Sequence, residues 1–305
     1  MSLTKSSDSS LLLITAAASI LVALTLIVLK GGVWWVSGSV SLLASLIDSV
    51  MDSLASLVNF LAIRYSLQPA DEEHRFGHGK AEALAGLGQA VLIGISALLL
   101  GREAIDKLIN PQPVGELNLA IAVMVVSIVL TFLLLMLQRY TVRRTGSTAI
   151  EADSLHYLSD LAVNVGIIAA LVASVFGHLW VDGTVAMLIA LYILRAAWGI
   201  GSESTQLLLD REISGDVREE ISAIVGAHPQ ALGFHQLRTR QSGRTQFIQL
   251  HVDMDERMSL REAHDLAEDI EMKIREKFPM ADVIIHEDPV KASPLVAVTP
   301  GEGAG

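Results

Sequence analysis

The feature that most constrains this chain is an uncharged apolar run near its start, from Leu11 to Leu29. Its nineteen residues form a helix long enough to cross a bilayer core of about 30 Å. Hydrophobic residues make up 51% of the 305 residues, and further apolar runs predict spans at 39–67, 82–109, 117–138, 148–176 and 180–208. The sequence therefore predicts a six-helix membrane unit over residues 11–209, preceded by a short cytoplasmic segment at 1–10.

The first run has an alternative interpretation as a cleavable secretory signal. Small residues of the kind that a signal peptidase prefers occur from Ala16 to Ser19. They lie in the middle of the run, however, and Lys30 ends it without a clear cleavage site. We therefore favour a retained first span.

Basic residues near the span ends predict the orientation in the membrane. They lie at the end of the second span and in the loops between the second and third spans and between the fourth and fifth spans, at Arg64, Arg75, Lys80, Arg139, Arg143 and Arg144. The turns predicted at 31–38 and 177–183 carry neither lysine nor arginine. Because cytoplasmic loops are enriched in basic residues, both termini are predicted to be cytoplasmic.

After Leu209 the composition becomes charged and soluble. Residues 210–290 predict a small α+β domain, and the tail at 291–305 is predicted to be disordered. The sequence predicts that this domain contains a helix at 214–227, strands at 232–240 and 245–254, a second helix at 259–278 and a strand at 281–287.

Net charge and cysteine content limit the chemistry. The formal net charge is −11, so we expect no basic surface for nucleic acid. The chain has no cysteine, which excludes disulfides and thiolate ligands. Carboxylates and imidazoles are then the strongest ligands, and they suit zinc, iron(II), manganese, cobalt or cadmium.

Two pairs of ionisable residues lie inside apolar spans: Asp48 with Asp52, and His156 with Asp160. Members of each pair are four apart, so they share one helical face. A charged group at membrane depth costs about 2.5 kcal/mol or more unless it meets water, another charge or a cation. Two packed helices that each supply such a pair can form a tetrahedral zinc site. The alternatives are acids that line an aqueous pore or pair with basic groups, which are scarce at mid-span. Asp153 is interpreted as an access residue near the cytoplasmic mouth.

These motifs resemble the cation diffusion facilitator family. The DxxxD of the second span, the HxxxD of the fifth, the loop DEEHRFGHGKAE and the ending IIHEDP agree in order and spacing. The resemblance covers nearly the whole chain and is nearest to bacterial zinc and ferrous-iron efflux members. It implies a homodimer in the bacterial inner membrane that exchanges divalent metal for protons, with a ferredoxin-like, metallochaperone-like cytoplasmic domain. It also implies that Asp48, Asp52, His156 and Asp160 form the transport site, with zinc and cadmium favoured.

The resemblance further assigns two metal sites and a charge pair. A loop site falls on Asp71, His74 and His78, where Glu72 or Glu73 could replace Asp71. A cytoplasmic-domain site falls on His235, His251, His264, His286 and Asp288, and this site lies at the dimer interface in related bacterial members. His286 and Asp288 are two apart on a predicted strand and so share a face. Lys80 and Asp210 correspond to a charge interlock that joins protomers beneath the bilayer.

Metal and proton would compete for the imidazole, because histidine has an unperturbed pKa of about 6.5 and binds metal in its neutral form. The sequence therefore predicts an antiporter that exports zinc, with cadmium and iron(II) as further substrates, and no enzymatic activity. A membrane-embedded metal hydrolase is one alternative, but it would need an open coordination position and a base. A membrane-anchored metal sensor is another, but an anchor has no use for buried acids.

Overall fold

The structure, a computed structural model, describes residues 2–37, 40–110, 118–176 and 180–291. The predicted disordered tail, apart from Lys291, lies outside the described residues. The chain divides into two compact units, Met1–Leu209 and Asp210–Gly305. Each unit is built around its own apolar core.

Six long helices form the first unit. They are α1 (Ser2–Ser37), α2 (Val40–Ser66), α3 (Lys80–Ile109), α4 (Asn118–Thr145), α5 (Thr148–Val175) and α6 (Trp180–Leu208). One helix covers each predicted span. Among the described residues, four stretches are long and apolar enough to cross a bilayer: Asp8–Val36, Lys80–Ile109, Met124–Thr145 and Trp180–Leu208. Within the described residues, α2 and α5 fall outside that set, and these two helices carry the predicted ligand pairs.

α1 and α4 differ from the prediction at their ends. α1 begins at Ser2, nine residues before the predicted start of the first span at Leu11. α1 continues to Ser37, so the turn predicted at 31–38 is wrong over its described part. A single lysine does not end the helix, because the apolar sequence resumes after it and Lys30 Nζ donates to Ser49 Oγ at 2.7 Å. The other helix that differs is α4, which extends to Thr145. Arg143 and Arg144 therefore lie on its last turn and not in a loop.

α3 and α6 pack closely at both ends. A Cβ at Gly86 would lie 2.9 Å from Ser204 Oγ, and a Cβ at Gly183 would lie 2.8 Å from Leu108 Cγ. Only glycine allows such an approach of two backbones without a shift of the neighbours. These two helices therefore form a tightly packed pair.

The second unit is a three-stranded sheet with two helices. It contains α7 (Gly215–Gly226), β1 (Gly233–Ser242), β2 (Thr245–Asp255), α8 (Leu260–Lys277) and β3 (Ala281–Val290). The strand order is β1-β2-β3, with β1 antiparallel and β3 parallel to β2. β3 extends three residues beyond the predicted strand end at residue 287. Six long helices followed by a small α+β domain confirm the predicted fold class.

One face of this sheet is covered by the helices. Ile248, Leu250 and Val252 alternate along β2 and are buried in a core with Ile270 of α8. A capping box starts α8, in which the Ser259 hydroxyl accepts from the backbone N–H of Glu262 and the Glu262 carboxylate accepts from the backbone N–H of Ser259. Because strand residues alternate between faces, the residues between the buried ones on β2 face away from the helices.

Replacement of Ile270 by alanine should destabilise the second unit. Ile270 is 0% exposed and Leu260, on the same helix, is 82% exposed. We expect Ile270→Ala to lower the free energy of unfolding by about 2–5 kcal/mol, through lost burial and a cavity. Leu260→Ala, the matched control, should change it by less than about 0.5 kcal/mol. Amide hydrogen exchange of β2 in the purified full chain measures both, and equal protection in the two variants would contradict the assigned core.

Candidate metal sites

The first candidate site joins α2 to α5 inside the helical unit. His156 Nε2 lies 2.9 Å from Asp52 Oδ1 and 3.9 Å from Asp160 Oδ2. One ligand atom from each residue lies within 4.8 Å of the others. All three side chains are partly exposed.

Asp48 is the fourth residue predicted for this site. It lies on α2, one helical turn before Asp52, but its side chain is outside the described residues. The described part of the site therefore consists of two carboxylates and one imidazole. This donor set suits a small divalent metal, and a fourth ligand would complete a tetrahedron.

The position of Asp153 in the structure does not fit its interpretation as an access residue. Its side chain is completely buried, and its carboxylate accepts hydrogen bonds from Ser19 Oγ at 2.6 Å and Gln138 Nε2 at 2.8 Å. It is not part of the cluster formed by Asp52, His156 and Asp160. The sequence shows it as one more polar residue on α5, and only the packing reveals its partners.

The second candidate site is in the loop between α2 and α3. Asp71 Oδ1 lies 3.4 Å from His74 Nδ1, and Asp71 Oδ2 lies 3.2 Å from His78 Nε2. The backbone N–H of His74 donates to Asp71 Oδ1 at 2.6 Å, and this bond holds the pKa of the Asp71 carboxyl below its usual value. Asp71 is therefore ionised at neutral pH and available to a cation.

The His78 side chain is only 2% exposed. The Tyr65 ring packs edge-on against it with the ring centroids 4.4 Å apart, and His78 Nδ1 has no hydrogen-bond partner among the described residues. Gly77, with a φ of +78°, allows the turn that brings the two histidines together. Glu72 and Glu73, the alternative ligands, are exposed and lie outside this group.

The third candidate site lies on the sheet face opposite the helices. His251 Nδ1 donates to Asp288 Oδ2 at 2.8 Å, His235 Nε2 lies 3.2 Å from the same oxygen, and His286 Nε2 lies 3.3 Å from Asp288 Oδ1. The strand register brings the three histidines side by side, because His235 on β1 pairs with His251 on β2, and His251 pairs with His286 on β3. The bond from His251 lowers the pKa of the Asp288 carboxyl.

A β-bulge in β1 sets the position of His235. The register shifts between His235 and Arg238, and Gln236 has a φ of +50°. The extra residue lets His235 face the ligand group while Leu237, two residues later, is buried in the core. A regular strand would place both side chains on the same face.

His264 and Asp253 change the predicted ligand list. His264 is exposed on α8 and is not among the residues that this chain brings together. Asp253, which the sequence analysis missed, lies 3.4 Å from His235 Nδ1 through its Oδ1. Its position two residues after His251 on the same strand was the available signal.

The two residues of the predicted charge interlock have other partners within their own units. Lys80 Nζ donates to the Leu208 carbonyl oxygen at 3.2 Å. Asp210 lies 3.3 Å from Arg240 and has a φ of +58°. Their pairing across protomers stays a prediction.

Comparisons with known proteins agree with this architecture. Residues 16–209 match the cation efflux transmembrane domain, and residues 213–290 match the cytoplasmic domain of cation efflux proteins. The cation-efflux pump FieF of Shewanella oneidensis is 49% identical over 281 residues, which cover 92% of this chain and 95% of that protein. FieF of Cronobacter sakazakii is 48% identical over 279 residues, which cover 92% and 93% of the two chains.

A solved structure of the putative zinc transporter CzrB in its zinc form is 28% identical, with a TM-score of 0.25, and covers 26% of this chain and 92% of that one. The family assignment rests on the two domain matches and on the FieF relatives. Members of the matched family are membrane transporters and not enzymes, which rules out the hydrolase alternative. The chain belongs to the cation diffusion facilitator family.

Proposed function

We propose that this protein is an antiporter that exports zinc from the cytoplasm in exchange for protons. The observation that carries the proposal is the convergence of Asp52, His156 and Asp160 inside an apolar helical unit. Ionisable groups at membrane depth mark ion pathways, because their burial is otherwise unfavourable. The match to cation efflux proteins gives the direction of transport.

The ligand types define the substrates. Two described carboxylates and one imidazole, together with Asp48 as the proposed fourth ligand, suit zinc, and they also accommodate cadmium and iron(II). Cobalt(II) accepts tetrahedral nitrogen and oxygen ligands and is a further proposed substrate, whereas manganese fits less well, because it prefers six oxygen ligands.

Proton exchange would follow from the contact between His156 and Asp52. A hydrogen bond of 2.9 Å between His156 Nε2 and Asp52 Oδ1 holds one proton between the two atoms. A metal ion bound to both atoms takes the place of that proton, because metal ligands bind in their deprotonated form. The proton leaves the site when the imidazole is doubly protonated, and it moves to Nδ1 when the imidazole is neutral. The same atoms would therefore carry metal in one conformation and a proton in the other.

The cytoplasmic domain would bind metal and regulate transport in a homodimer. His235, His251 and Asp288 offer three ligand atoms within 4.8 Å of one another. His264 is exposed and separate from this group, which fits a ligand that joins the site only on dimerisation. The loop site of Asp71, His74 and His78 would be a further exchangeable metal site.

The proposed location is the bacterial inner membrane, with both termini in the cytoplasm. The basic residues on the last turn of α4, Arg143 and Arg144, would lie on the cytoplasmic side. The interlock of Lys80 with Asp210 would join the protomers near that surface.

Loss of either central ligand should abolish transport. We expect Asp52→Ala and His156→Ala each to lower zinc-driven proton flux in proteoliposomes at least tenfold, because neither leaves enough ligands to hold the ion. Asp106→Ala is the matched control. Asp106 is an acidic residue near the C-terminal end of α3, and its carboxylate accepts a hydrogen bond from the Asn110 side chain. Wild-type flux in either ligand variant, with a folded dimer, would refute the assignment.

The imidazole should determine metal selectivity. His156→Asp makes the site all-oxygen, so we expect the ratio of zinc flux to manganese flux to fall at least fivefold. The two fluxes are measured in the same vesicles at matched metal concentrations. An unchanged ratio would show that His156 does not contact the transported ion.

Metal on the cytoplasmic domain should change the transport rate. We expect a variant with His235, His251, His264, His286 and Asp288 all replaced by alanine to transport zinc at least threefold more slowly. Gln249→Ala, at an exposed position between the buried residues of β2, is the control for altered sheet surface. Equal initial rates in the ligand variant and the wild type would remove the regulatory role.

A further inference from the structure

A buried carboxylate outside the transport cluster connects most of the helical unit. Asp153 on α5 is 0% exposed. Its Oδ2 accepts from Ser19 Oγ at 2.6 Å and from Gln138 Nε2 at 2.8 Å. Its Oδ1 accepts from Gln89 Nε2 at 3.2 Å and from Ser56 Oγ at 3.4 Å.

The four donors come from four different helices. Ser19 lies on α1, Ser56 on α2, Gln89 on α3 and Gln138 on α4. With Asp153 itself, this network includes five of the six helices of the unit. Tyr157 extends it, because its hydroxyl lies 3.0 Å from Ser56 Oγ and 3.1 Å from the Ser19 carbonyl oxygen, and its single proton goes to Ser56 Oγ when Ser56 donates to Asp153.

The network has an unusual charge balance. Within the part of the chain that the structure describes, none of the hydrogen bonds to the Asp153 carboxylate comes from lysine, arginine or histidine. A buried acid without a cationic hydrogen-bond partner is unfavourable in an apolar environment, and such acids in membrane proteins mark function. If Asp153 served only to join helices, a neutral side chain would do so at a lower free-energy cost of burial. Serine, threonine and asparagine readily form hydrogen bonds between membrane helices.

The position of the network suggests its function. Asp153 is three residues before His156, about 4.5 Å along the helix axis. Gln89 belongs to α3, which packs tightly on α6 through Gly86 and Gly183. The bond from Gln89 therefore joins this helix pair to α5, the helix that carries two transport ligands.

We propose that Asp153 is a positioning residue for transport, whose carboxylate holds α3 against α5 through Gln89 and releases it when the helices rearrange. The inference rests on the proposed function, because a site that faces each side of the membrane in turn requires helices to move relative to one another. A carboxyl group that has four neutral hydrogen-bond donors around it can lose one donor and keep three. The bond to Gln89 can therefore break without leaving the carboxylate unsatisfied.

The test uses a thiol as a reporter of helix separation. The chain has no cysteine, so Ala90→Cys introduces the single thiol. Ala90 is buried on α3, in a core that includes Ala152 of α5 and Ala197 of α6. A Cβ at Gly201 on α6 would lie 3.6 Å from the Ala90 Cβ. A water-soluble maleimide should therefore label this thiol only when α3 moves away from the helices that cover it, and the exchange of Asp153 with Gln89 described below assigns the change to the contact between α3 and α5. A separate variant, Glu219→Cys, has its single thiol at an exposed position on α7. The labelling rate of this thiol corrects for the activity of the reagent.

Asp153→Asn should open the contact. The amide keeps the shape of the side chain, but it replaces one acceptor oxygen by an NH₂ group that faces existing donors. We expect labelling of the Ala90→Cys thiol to rise at least fivefold. In the cysteine-free background, we expect the maximal zinc flux to fall at least fivefold while the KM for zinc changes less than threefold, because the ligands are untouched.

A reciprocal exchange separates positioning from general packing. Asp153→Asn combined with Gln89→Glu places the carboxylate on α3 and the amide on α5, which restores the bond between the two helices. Labelling should return to within twofold of the wild type. Asn59→Leu is the matched control, because Asn59 also joins α2 to α5, through the Ala149 carbonyl at 3.1 Å. It should leave labelling of the Ala90→Cys thiol unchanged.

Several outcomes would overturn the inference. They are unchanged labelling in Asp153→Asn, an equal rise in Asn59→Leu, or no recovery in the reciprocal exchange. If Asp153→Asn does not fold, Gln89→Leu decides, since it removes only the α3 donor. Labelling within twofold of the wild type in Gln89→Leu then refutes the link. Absence of zinc flux in the wild type would refute the proposed function alone, because the labelling does not depend on transport.

Discussion

The contact between His156 on α5 and Asp52 on α2 is the interaction on which the functional account depends. Both groups are expensive to bury in an apolar environment, and each reduces the cost of the other. Asp160, one helical turn beyond His156, adds a second carboxylate within reach. An apolar helical unit that concentrates negative charge around one imidazole has a structural reason to bind a cation. The same contact explains the proposed exchange, because a proton and a metal ion compete for the same two atoms.

The helical unit and the cytoplasmic domain place their ligands by different means. In the helical unit, two residues four apart on one helix share a face, so packing of α2 on α5 is sufficient. In the cytoplasmic domain, the strand register aligns His235, His251 and His286 in a row across three strands. The loop site depends on a turn at Gly77 and on the Tyr65 ring beside His78. Three arrangements with no common backbone geometry therefore offer the same ligand types.

The sequence predicted those features that depend on local pattern. Apolar runs predicted the six long helices, and alternation predicted β2. Features that depend on packing were missed. The end of α1 was misplaced because Lys30 finds a partner in Ser49, across a helix contact that no local pattern shows. The bulge that turns His235 toward the ligand group and the contact of Asp253 with His235 follow from strand pairing. The partners of Asp153 come from four other helices, so its position on α5 did not show that it is buried.

The central claim is that the imidazole and the carboxylates of α2 and α5 together hold the transported ion. X-ray absorption spectroscopy tests it most directly, on zinc-loaded protein in which the loop ligands and the cytoplasmic-domain ligands are replaced by alanine. The account predicts one tightly bound zinc per chain, with one imidazole nitrogen and oxygen ligands at about 2.0–2.2 Å. A shell of six oxygens without imidazole scattering, or no bound zinc, would contradict it.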